Sequence, residues 1–115
     1  MNLNWRITVG KRYQKLVRDR IPEIIRQHNK TCETVTLSEA EYRQALRQKL
    51  IEEATEAAEA TEAELVTELA DVYEVIDALM QAYQISPQAA IAEQKRRREE
   101  RGGFDRRIQL LNVQE

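Results

Sequence analysis

Hydrophobic positions along the chain recur first at every second residue and afterwards at helical spacing. Leu3, Trp5, Ile7 and Val9 alternate with Asn2, Asn4, Arg6 and Thr8, which predicts a half-buried strand or a short extended N-terminal arm over residues 1–12. Leu16 to Pro22 follows, where Pro22 suits a first helical position while its ring keeps Ile21 out of α geometry. A short helix is therefore predicted from about Pro22 to His28, ended by Asn29 and Lys30, with residues 34–37 extended. Ser38 and Glu41 have the spacing of a capping box, flanked by Leu37 and Tyr42 as a staple, and start a long helix. Its apolar stripe runs through Tyr42, Ala45, Leu46, Leu50, Ala54 and Ala57. A second box, Thr61 with Glu64, places a break near residues 60–62 and a second long helix from Glu62 to about Gln84. This helix is apolar on Leu65, Leu69, Val72, Ile76, Leu79 and Tyr83. Val66, Tyr73, Val75 and Met80 widen the face, so burial on several sides is expected. Ser86 and Pro87 start a third long helix that should stop at Gly102 and Gly103, leaving an apolar but aperiodic tail from Phe104 to Leu111.

The fold class expected is all-α: a helical bundle over residues 13–115, preceded by the arm over 1–12. A chain of 115 residues fits one domain and leaves no room for separate cofactor and substrate modules. With 33% charged and 42% hydrophobic residues the core must be small, which favours completion by a second copy, as a homodimer or a dimer of dimers. Twenty acidic against eighteen basic residues argue against a nucleic-acid polymer as partner. Cys32 stands alone, excluding an intrachain disulfide framework and a four-cysteine zinc site and making a reducing cytoplasm the simplest home. No apolar run approaches the roughly 18–20 residues of a membrane span, and residues 1–10 lack the layout of a signal peptide.

The chemistry lies in acids that fall on helix stripes. At about 100° per residue, Glu53 stands three after Leu50 and four before Ala57, inside the apolar stripe, and Glu56 is one turn further on. On the next helix Glu68 and Asp71 are again one turn apart, in line with Val75, Ala78 and Ala82. Antiparallel packing would bring the two pairs face to face. Four oxyanions converging there would repel, and each would cost several kcal/mol to desolvate without a counter-charge. A hard divalent cation, Mg²⁺ with Mn²⁺ as substitute, is one solution; it prefers carboxylate oxygens and completes its shell with water and phosphate. Zinc would want His28 or Cys32, both distant in sequence, and a di-iron site would want a Glu-x-x-His element that is missing. The other solution is salt bridging to Lys49 or to neighbouring arginines.

Cations are placed to match. Lys95 and Arg98 follow Ile91 by four and seven residues, so they continue the apolar face of the third long helix and are expected to point inward, with Arg97 and Arg101 on a neighbouring face. Lys15, Arg18 and Arg20 form a second basic group ahead of the short helix. Both groups suit phosphate.

These residues carry a resemblance. Glu52-Glu53-Ala54-Thr55-Glu56 is similar to the EExxE motif, and Glu68-Leu69-Ala70-Asp71 to the ExxD motif, of the all-α nucleoside triphosphate pyrophosphohydrolase superfamily, which includes MazG, phosphoribosyl-ATP pyrophosphohydrolase and the dimeric dUTPases. Residues 15–22 and 101–104 resemble one branch, the phosphoribosyl-ATP pyrophosphohydrolase-like proteins regarded as house-cleaning NTP pyrophosphatases. Arg97 stands where that branch would have lysine. The resemblance implies cleavage of a nucleoside triphosphate between its α and β phosphorus atoms, giving a monophosphate and pyrophosphate. It implies Glu53, Glu56, Glu68 and Asp71 as Mg²⁺ ligands and Glu52, or the ligand Glu53 itself, as acceptor of the water's proton. Lys95, Arg98 and Arg101, with Lys15 and Arg18, would hold the pyrophosphate. Tyr73, Tyr83 or Trp5 could stack on a base, core packing being the simpler role for each. Two other readings stay open: a phosphoribosyl-ATP pyrophosphohydrolase proper, and a non-catalytic helical interaction module whose acids pair with arginines.

Overall fold

A computed structural model describes residues 14–115, and the arm expected over residues 1–12, with Trp5, lies outside them. Four helices follow in order, α1 (Ile21–Gln27), α2 (Glu39–Glu59), α3 (Glu62–Ala82) and α4 (Pro87–Arg101), and there is no strand among the described residues. The chain divides into two compact units at Gln84–Ile85.

In the first unit α1 begins at Ile21, one residue earlier than proline geometry alone suggests. A turn in which the Ile21 amide donates to the Arg18 carbonyl (3.0 Å) leads straight into the helix, and Pro22 falls in the first turn, where its missing N–H is not needed. Asn29 then takes a left-handed φ of 60° and ends it. At α2 the Glu41 amide donates to Ser38 Oγ (3.2 Å) and the Ser38 amide to Glu41 Oε1 (3.0 Å), a reciprocal cap of about 1 kcal/mol. Ala60 and Thr61 are extended, so α2 stops and α3 restarts with only two residues between them. Glu64 Oε1 accepts from both the Thr61 amide (3.3 Å) and the Thr61 hydroxyl (2.9 Å) and anchors the new start.

That short break turns α2 and α3 into an antiparallel hairpin. Arg43 near the start of α2 donates to the Ala82 carbonyl at the end of α3 (3.0 Å), and Arg47 donates to the Tyr83 hydroxyl (2.9 Å) while both guanidinium groups lie about 5 Å from the Tyr83 ring (4.9 and 5.0 Å). Between the helices the buried side chains are Leu46, Lys49 and Glu53 from α2 and Glu68, Asp71 and Val75 from α3; Ile21 and Ile25 of α1 are also buried. Among the described residues charged and apolar ones are therefore equal in the buried set, which is only half hydrophobic.

Among the described residues of the first unit the expected many-sided burial of α3 is not seen. Val66 and Tyr73 are 75% and 71% exposed, and Leu65, Leu69 and Ile76 are exposed as well. The face turned to α2 is the line Glu68, Asp71, Val75, with Ala78 and Ala82 half-buried behind it, and one neighbouring helix covers one stripe.

In the second unit the Ala89 amide donates to Ser86 Oγ (3.0 Å) at the start of α4, and Gly102, at φ 83°, ends it with its amide on the Arg98 carbonyl (2.8 Å). The tail makes a turn at Phe104–Arg107 and is otherwise irregular. No residue of α4 is buried within this unit, and Ile91, whose face Lys95 and Arg98 continue, is 63% exposed.

Candidate metal and phosphate site

The acids on the two stripes meet. On α2 the steps Leu46, Lys49, Glu53, Glu56 are three, four and three residues, which keeps all four on one face; on α3 Glu68, Asp71 and Val75 do the same. The hairpin lays these faces together, so carboxylate oxygens of Glu53, Glu68 and Asp71 lie within 4.8 Å of one another. A second group, Glu52, Glu53 and Glu56, converges equally closely, and Glu53 belongs to both. Glu53 is 1% exposed.

This donor set fits a hard divalent cation. Oxygens bound to one small cation at about 2.1 Å are at most about 4.2 Å apart, so side chains already converging need only a small adjustment to share one. All the donors in both groups are carboxylates. His28, exposed on the far end of α1, and Cys32, half-buried with its thiol against the Pro22 carbonyl, belong to neither, and nitrogen and sulfur are the donors zinc would prefer.

Ion pairing is present in the same place. Lys49 Nζ lies 3.3 Å from Glu52 Oε2 and 3.6 Å from Glu53 Oε1, Lys15 donates to Glu52 Oε1 (3.2 Å), and Arg18 donates to Asp71 Oδ1. The two solutions open in the sequence, cation ligands and salt bridges, thus share their carboxylates. Lys49 is the residue that sequence reasoning undervalued. It sits three after Leu46 and four before Glu53 on the buried stripe, a position where a lysine ordinarily reaches out to water.

The carboxyls titrate apart. Burial pushes Glu56 above its usual 4.5, and the neighbouring charge of Glu53 adds to this. Burial acts on Glu52 in the same direction but is outweighed by the hydrogen bonds and charges of Lys15 and Lys49, which hold it below 4.5.

An open cleft of about 480 Å³ adjoins the cluster, its lining including Arg18, Lys49, Glu53 and Asp71 as well as Leu16 and Tyr42. Its lining mixes charged and apolar residues, as small-molecule sites do. Of the other cations nominated for phosphate, Lys15 and Arg18 stand half-exposed beside the acids. Lys95, Arg98 and Arg101 belong to the second unit; there Arg98 pairs with Asp105 (3.8 Å) and Arg101 with Glu100 (4.0 Å).

No curated protein and no solved structure matches the chain. A family model does: that of phosphoribosyl-ATP pyrophosphohydrolase, over residues 11–98. The match spans α1, α2, α3 and most of α4, and with them Lys15, Arg18 and every acid of the cluster. With the all-helical architecture and the carboxylates brought together by the α2–α3 hairpin, it shows that the chain belongs to the phosphoribosyl-ATP pyrophosphohydrolase family, among the MazG-like all-α pyrophosphohydrolases.

Proposed function

We propose that the protein is a Mg²⁺-dependent pyrophosphohydrolase that cleaves the α–β phosphoanhydride of a nucleoside triphosphate, giving a monophosphate and pyrophosphate. The observation that carries this reading is the convergence of Glu53, Glu68 and Asp71, all buried, from two facing helices. These three and Glu56 would hold the ion, with Mn²⁺ as a substitute. When bound, the ion supplies positive charge to the triphosphate oxygens and lowers the pKa of a coordinated water. Glu52, kept ionised by its two lysines, accepts the water's proton, and Glu53 is the second candidate for that role. Lys15 and Arg18, half-exposed beside the acids, exchange their carboxylate partners for phosphate oxygens and stabilise the leaving pyrophosphate, a task also proposed for Lys95, Arg98 and Arg101 of the second unit.

Two substrate classes compete. House-cleaning of non-standard nucleoside triphosphates is the broader one; the family match favours a phosphoribosyl-ATP-like triphosphate. Incubating the protein and Mg²⁺ with phosphoribosyl-ATP and with a panel of natural and damaged triphosphates, and measuring pyrophosphate, separates them. Turnover of phosphoribosyl-ATP alone selects the narrow reading, turnover of damaged nucleotides the broad one, and no pyrophosphate from any of them removes both.

The exposed apolar residues of α3, Leu65, Val66, Leu69, Tyr73 and Ile76, are the surface on which a homodimer or a dimer of dimers is proposed to form. Light scattering should return a mass of two or four chains; a mass of one would remove this proposal.

A further inference from the structure

Among the described residues Lys49 is the only buried cation, its side chain 7% exposed between Leu46 and Glu53 on α2. A lysine stem can bend its ammonium out to water from such a position, and here it does not. The ammonium rests 3.6 Å from Glu53 Oε1 and 3.3 Å from Glu52 Oε2, on the one carboxylate that the two acid groups share. A cation taken up by Glu53 must therefore come within a few ångströms of Nζ, in a buried setting where two like charges repel far more strongly than in water. The charge that Lys49 contributes to holding Glu52 and Glu53 without an ion is a charge an ion at Glu53 has to overcome.

We propose that Lys49 is a positioning residue that serves as the cluster's internal counter-ion: it fixes Glu52 and Glu53 in the metal-free chain, and a divalent ion binds by displacing its ammonium from Glu53. Lys49 thereby sets the ion affinity of the site. This rests on the metal reading given above, and the tests separate the two.

Mn²⁺ binding is measured without nucleotide, by electron paramagnetic resonance, in the native protein and in the Lys49→Met and Lys49→Arg variants. Removing the ammonium is expected to tighten Mn²⁺ binding about tenfold in Lys49→Met. The same change lowers the metal-free unfolding midpoint, because buried acids lose a counter-charge. Lys49→Arg keeps the charge and stays within about twofold of the native affinity. An affinity in Lys49→Met equal to or weaker than native overturns the inference even if the midpoint falls, since a purely structural lysine would move only the midpoint. A second measurement uses the native chain and covers the case in which Lys49→Met does not fold. Acetic anhydride labelling of Lys49, read by mass spectrometry against exposed Lys30, should rise several-fold on saturation with Mg²⁺, and unchanged labelling overturns the displacement. If the native protein binds no Mn²⁺, the metal reading falls and takes this inference with it. Equal binding by native and Lys49→Met removes the inference alone.

Discussion

Glu53→Gln is expected to reduce pyrophosphate release by at least about a hundredfold, roughly 3 kcal/mol or more of transition-state stabilisation, while the helical circular dichroism spectrum is unchanged. Glu53 is the residue common to both acid groups and is 1% exposed, at the centre of the proposed ligand set. The amide has nearly the same shape, which spares the hairpin packing, but it carries no charge and is a poor ligand for a hard cation. Lys49 keeps its contact with Glu52 in the variant, so the ammonium is not stranded. A relieved like-charge conflict between Glu53 and its neighbours could even raise the stability of the variant without metal. Pyrophosphate release at the native rate would show that the cluster is not the reaction centre.

Millimolar Mg²⁺ or Mn²⁺ is expected to raise the unfolding midpoint by about 10 °C. An ion present at a hundredfold its dissociation constant stabilises the folded state by about 2.7 kcal/mol, and in a domain of this size each kcal/mol moves the midpoint by roughly 4 °C or more. The effect has a defined pH dependence. Glu56 has a raised value in the folded chain, so its contribution to metal-free stability is fully present below 4.5 and is lost as pH rises through the folded value. Glu52 has a lowered value, so its contribution is present above 4.5 and is lost as pH falls through the folded value. Ion binding needs the carboxylates deprotonated, so the metal-induced increment should grow with pH over the range in which Glu56 ionises and the metal-free chain weakens. A midpoint unmoved by either ion at neutral pH, with the helices intact, would mean that Lys15, Arg18 and Lys49 are the acids' complement. The chain would then be a charged helical interaction module rather than an enzyme.

Much of this architecture is legible residue by residue. Ser38 with Glu41, Thr61 with Glu64, and Ser86 with Pro87 mark helix starts through local hydrogen bonding, and α2, α3 and α4 begin where those pairs stand. Gly102 ends α4 because it accepts a positive φ. The convergence of Glu53 with Glu68 and Asp71 also follows from spacing, given a break short enough to force an antiparallel return. Spacing places the acid-bearing stripe of α3 against α2, but what periodicity leaves open is what covers the apolar stripe through Leu65 and Leu69, both exposed here. Apolar content alone cannot choose between two stripes of one helix, because burial depends on where the neighbouring helix lies. Lys95 and Arg98 likewise continue a face, that of Ile91, which is exposed within their own unit.

The sequence by itself determined where α2, α3 and α4 start, the register of the acids along each helix and, through the motifs at residues 52–56 and 68–71, the family, since all of these are encoded in neighbours a few residues apart. Only the tertiary structure decided that Lys49 lies among the acids rather than in water, that Arg18 reaches Asp71 across 53 residues of chain, and that Glu53 joins both carboxylate groups. The physical reason is that desolvation and charge pairing depend on distances through space, and these come into being only when the hairpin closes.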